Sequence, residues 1–184
     1  MLRSLALAFA IMLAPAAYAQ DERRAEADLP EVRATAEVIF EALPPDVAGS
    51  AGWDAISIRI SRLVHWHVYG PDPRDRPLSA LVRRHGWIEG VEQDVDLTVE
   101  GDDAGVRSLA FGYLFLGLDL LTAVRERGAA VSFQADYETY SEYIVSAPGR
   151  EPALLTLTRR CTPPGSRARY RCENGATLTF GSLG

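Results

Sequence analysis

The chain has 184 residues, 47% of them hydrophobic and 24% charged, and a formal net charge of −6. An acidic chain lacks the positive field that binding to nucleic acid or anionic membrane requires. All 19 basic residues are arginine, which excludes Schiff-base chemistry, lysine general bases and Walker-type phosphate loops.

The N-terminus reads as a secretory signal over residues 1–19. Arg3 supplies the positive region and Leu5 to Leu13 the apolar run. Pro15 breaks that run, and Ala17-Tyr18-Ala19 forms a small-x-small cleavage site before Gln20. The apolar run is shorter than the roughly 20 residues of a membrane anchor. Cleavage removes Arg3 and no acid, so the net charge passes from −6 to −7. The expected location is periplasmic or secreted. Residues 20–28 are polar and read as a disordered linker, and residues 29–184 as a single α+β domain.

A helix is expected from Pro30 to Leu43. Proline suits its first position, and Val32, Ala36, Ile39, Phe40 and Leu43 recur at helical spacing. Residues 56–68 alternate with period two. Ile56, Ile58, Ile60, Val64, Trp66 and Val68 take one parity, and Ser57, Arg59, Ser61, His65, His67 and Tyr69 the other. This predicts a long strand with one buried face, or a strand with a bulge near Arg62 and Leu63. Gly70 to Pro77 reads as a turn, and Ser79 to His85 as one or two helical turns stopped by Gly86. Val91 to Glu100 alternates again, with Val91, Val95, Leu97 and Val99 opposed to Glu92, Asp94, Asp96 and Glu100.

Asp103 is placed to cap a helix running to about Arg127, with Gly128 as its stop. Its first half, Ala110 to Leu118, reads equally as a buried strand. The apolar stretch from Val106 to Val124 carries Arg107 and Asp119, leaving too short an uncharged run to span a bilayer. Val131 to Val145 alternates cleanly, and Ala153 to Cys161 is a further strand. Arg167 to Glu173 and Ala176 to Phe180 read as a hairpin turned at Asn174-Gly175. The expected fold is therefore α+β: a strand-rich antiparallel sheet whose C-terminal meander packs on one long helix.

Cys161 and Cys172 are the two cysteines. In an exported chain an even pair reads as a disulfide, here between neighbouring strands. Their spacing is not CxxC, which argues against a redox pair or metal ligands.

His65-Trp66-His67 would place two imidazoles on one side of a strand, the geometry of part of a zinc or copper site. Such a site needs a third ligand, for which His85, Asp72 and Asp75 are the nearby choices. The competing reading places both histidines on the polar face, opposite Trp66. The acidic face Glu92, Asp94, Asp96 and Glu100 lacks the glycine and spacing of a calcium loop. It reads as solvated, or as paired with Arg167, Arg169 and Arg171. Of Tyr137, Tyr140 and Tyr143, the alternation sends the first and last to the core. Asp119 is a carboxylate in an apolar segment, which reaches solvent, pairs with arginine or has a raised pKa. No serine sits in a GxSxG context.

These residues point to a non-enzymatic binding or assembly module, working through a sheet face or edge. Its expected partner is another envelope protein or a small ligand, without cofactor, metal or nucleic acid. The alternatives are a metal-dependent hydrolase or metal-binding protein centred on His65 and His67, and a small-ligand carrier.

Overall fold

The computed structural model describes residues 29–45, 52–67, 82–91, 93–102, 104–112, 117–161 and 172–181. The signal segment, the linker, the Gly70–Pro77 turn, Asp103, Glu92, and Arg167, Arg169 and Arg171 lie outside them. Helix α1, Pro30–Ala42, carries proline at its first position and stops one residue short of its expected end. Val32, Thr35, Ala36 and Ile39 are buried along one stripe, at the spacing that helix geometry requires.

The next segment departs from the expected strand. Trp53–Ile60 is helix α2, followed by a turn. Only His65–Trp66 is extended, as the two-residue strand β1. Ile56 and Ile60 are buried while Ile58 is 73% exposed. The same isoleucines that alternate also stand at i and i+4, and the helical reading of that ambiguity is the one the fold uses.

The segment expected to end a helix at Gly86 is instead strand β2, Val82–Ile88, with Gly86 inside it. A Cβ at Gly86 would lie 2.8 Å from His65 O and 2.8 Å from Val64 Cγ1. The glycine is needed for close approach to the neighbouring backbone, not for a helix stop. Strand β3, Val95–Asp102, buries Val95, Leu97 and Val99 as expected, whereas Val91 precedes it and is exposed.

The long helix expected up to Arg127 is divided. Its first half is strand β4, Gly105–Gly112, and only Gly117–Glu126 is helical, as α3. Gly128 ends α3 with a φ of +95°, as the stop signal predicts. The longest described helix is therefore α1, with 13 residues. The sheet is covered by short helices and not by one long one.

Strands β5, Ala130–Asp136, and β6, Tyr140–Ser146, divide the long alternating segment into a hairpin. Strands β7, Ala153–Cys161, and β8, Cys172–Thr179, complete it into an antiparallel meander. Asn174-Gly175 is not a turn. It lies within β8, where Gly175 is paired with Gly112 of β4 and Thr158 of β7. Across β7 and β8, Cys161 stands in direct register with Cys172.

The eight described strands form one antiparallel sheet in the order β1-β2-β3-β4-β8-β7-β6-β5. Each half is a helical segment followed by a four-strand meander, and the halves meet where β4 pairs with β8. Helices α1 and α3 pack on each other. Ile39, Ile56, Ile60, Leu120 and Val124 join Leu97, Leu109, Leu155 and Leu178 in a single core. The strand residues of opposite parity form the second face. Among the described residues no helix lies on it.

The C-terminal end of α1 is closed by two arginines. Arg150 donates through Nη1 to the main-chain oxygens of Phe40 (3.1 Å), Glu41 (3.3 Å) and Leu43 (3.0 Å). Arg59 donates to those of Glu41 (3.0 Å) and Ala42 (3.3 Å). Phe40 O also accepts the Leu43 N–H at 3.3 Å, while the later carbonyls lie beyond the helix's own ladder, and positive charge suits this end of the helix dipole. Burial first, then the nearby Arg150, holds the Arg59 pKa below its ordinary value.

Candidate functional site

Sheet register decides which side chains share the helix-free face. One row runs across it from His85 of β2 through Thr98, Ala110, Thr177 and Thr156 to Glu142 of β6. A second row runs from Arg83 through Glu100 and Ser108 to Thr179. The alternating segments Leu155-Thr156-Leu157-Thr158 and Ala176-Thr177-Leu178-Thr179 put leucine or alanine into the core and threonine outward. The result is a surface of half-exposed hydroxyls over the central strands. These threonines were not singled out from the sequence, although their period-two pattern is plain there.

At one end of this face the three histidines come together. His65 is in register with Trp87 and stacks on it, with ring centroids 5.4 Å apart. The His67 ring lies 4.6 Å from the same indole, tilted by 47°. The His67 main-chain N–H donates to His85 O at 3.0 Å, and His85 Nδ1 is 3.1 Å from Thr98 Oγ1. His65 Nε2 is 3.3 Å from Glu89 Oε2, between two well-exposed side chains. The return of the chain thus brings His85 beside His67, while Trp66 packs toward the core. Trp87 holds the cluster together. Sequence reading misses it because Gly86 reads as a helix stop, although Arg83, His85 and Trp87 alternate with Arg84, Gly86 and Ile88.

Among the described residues no group of three or more His, Cys, Asp and Glu is placed to hold a metal ion. The imidazoles of His65 and His67 are turned to the indole of Trp87. The acidic residues in and just before β3 are also separated in use. Glu100 accepts from Arg83 Nε at 2.6 Å, and Asp94 Oδ1 accepts from the Gly90 main chain at 3.1 Å.

Tyr137 differs from expectation, while Tyr143 does not. The turn at residues 137–139 resets the alternation, so Tyr137 is half exposed and stacks on Tyr140 at 4.3 Å. Burial, reinforced by Tyr137 and Glu142, raises the pKa of the Tyr140 phenol. Tyr143 packs on the core and meets Phe133 edge-on at 5.8 Å. Asp119 does not reach solvent. It is 3% exposed in the first turn of α3, as Glu31 is 4% exposed in the first turn of α1. Both carboxylates sit where the helix dipole favours negative charge. No described helix is long and apolar enough to cross a membrane. In comparison with known proteins, the chain matches no family model, no curated protein and no solved structure.

Proposed function

We propose that this chain is an exported, non-enzymatic binding or assembly module that engages an envelope protein through the helix-free face of its sheet. The observation that carries the reading is the face itself. Thr98, Thr156 and Thr177 offer hydroxyl donors and acceptors over the central strands, and the His65–Trp87–His67 cluster supplies an aromatic end. Aromatic anchors beside adaptable polar groups are the composition of recognition surfaces.

Chemical cross-linking in envelope extract, with wild type beside Thr156→Arg and Thr177→Arg, tests this. A defined partner captured by the wild type and lost with both substitutions supports the reading. A small ligand co-purifying in stoichiometric amount, with capture unaffected, overturns it in favour of a carrier. Export has its own test, because mass spectrometry of the cell-derived protein should find Gln20 as the first residue. An intact Met1 terminus would remove the export part. Export also carries the proposal that Cys161 and Cys172 are joined. What supports it is an even pair of cysteines standing opposite each other on β7 and β8.

A further inference from the structure

The two edges of the sheet are built differently. Strand β1 is two residues long, a length that offers little for another strand to pair with. Strand β5 is seven residues long and carries no charged side chain and no proline from Ala130 to Gln134. Phe133 on this edge is 61% exposed. A bulge falls between Phe133 and Ala135, so the regular part of the edge is the stretch before it.

We propose that β5 pairs antiparallel with β5 of a second copy of this chain, about a two-fold axis at Ser132. The argument is self-complementarity. Antiparallel neighbours share a face, so a symmetric register centred on Ser132 sets Val131 beside the partner's Phe133, and Phe133 beside the partner's Val131. Ala130 meets the partner's Gln134. No like charges are opposed within this stretch. Beyond it, the acidic end of one strand, Asp136 and Glu138, runs toward the turn that precedes the partner's strand. Arg127 in that turn and Arg125 in the last turn of α3 are exposed, although Arg127 already pairs with Glu37 at 2.7 Å and Glu126 lies between them. The chain is acidic overall, so the uncharged strip is where two copies approach with least repulsion. The pairing satisfies the edge amides and covers the exposed Phe133 ring.

Sedimentation velocity of the purified protein over a concentration series tests the proposal. Ser132 is exposed and points to the helix-free face, so Ser132→Arg and Ser132→Asp leave the core intact, which circular dichroism checks. The wild type should sediment as a dimer. Each variant alone should dissociate at least about tenfold more readily, because like charges meet at the axis. An equimolar mixture of the two should recover the dimer. A wild type that stays monomeric at every concentration overturns the proposal. So does a dimer that both substitutions leave unchanged, or a mixture that does not recover. Capture of the envelope partner, read by the Thr156 and Thr177 variants, should survive both Ser132 substitutions, which keeps the two readings apart.

Discussion

Arg150 donates to the main-chain oxygen of Leu43 at 3.0 Å across 107 residues of sequence. This bond and its companions to Phe40 and Glu41 tie the loop after β6 to the end of α1. Glu151 N–H donates to Pro44 O at 2.7 Å beside them. Replacing Arg150 by alanine leaves part-buried carbonyls without a charged donor, so Arg150→Ala should lower stability by about 2–3 kcal/mol. Lysine should recover only part of this, since it lacks the planar fork. Urea denaturation of the two variants measures the difference, and a cost near zero for Arg150→Ala would show that Arg59 alone suffices.

Gly86→Ala places a methyl against the His65 carbonyl and the Val64 side chain, both 2.8 Å from the new atom. Backbone cannot yield as a flexible side chain does. The expected cost is about 1–3 kcal/mol, with loss of the β1–β2 pairing. Amide hydrogen exchange at His67 reads it directly, since that N–H donates to His85 O. Unchanged protection at His67 would contradict the close-approach account.

Asp102 accepts from the Ala104 main chain, its largest influence, and pairs with Arg107. Together these hold its pKa below the ordinary aspartate value despite an opposing desolvation effect. A depressed folded value means that the unfolded chain takes up the proton first as pH falls. The Asp102 contribution is therefore complete above the ordinary aspartate range and is lost as pH drops through the folded value. Asp102→Asn should flatten this part of the stability profile. An NMR titration of the carboxyl that shows an ordinary or raised value would refute the prediction.

Metal content should stay well below one ion per chain when the protein is purified without a His tag. The rings of His65 and His67 are held by one indole, not by a shared ligand point. A stoichiometric zinc or copper that is lost on His67→Ala would overturn both this prediction and the non-enzymatic reading.

Thiol labelling of native, cell-derived protein without reductant should find neither Cys161 nor Cys172 reactive. Replacing either should lower stability by about 2–4 kcal/mol on the loop-closure account. Two labelled thiols would show that opposed register alone did not produce a bond.

Much of the architecture is legible in the residues. Pro30 and the stripe from Val32 to Ile39 specify α1, and the alternation of Val95, Leu97 and Val99 specifies β3. The errors have a common physical origin. Ile56, Ile58 and Ile60 satisfy two periods at once, and burial of Ile56 and Ile60 by other elements selects the helix. Gly86 and Asn174-Gly175 carry turn chemistry, but in this fold Gly86 admits a neighbouring backbone and Gly175 lies between two paired strands. The polar face was visible as alternating threonines. Its assembly was not, because register across β4 and β8 depends on partners far apart in sequence.

Strand β8 is the last described strand, yet it lies in the middle of the sheet between β4 and β7. As the chain emerges N-terminus first, β1 to β4 and β5 to β7 form two separate ribbons with no ladder between them. Neither can join the other until β8 arrives and inserts. Assembly therefore waits on the non-local pairing that β8 makes, which places this topology among the slower-forming ones. Until then the inner edges of β4 and β7 stand unpaired, and a chaperone that shields strand edges would act at that stage.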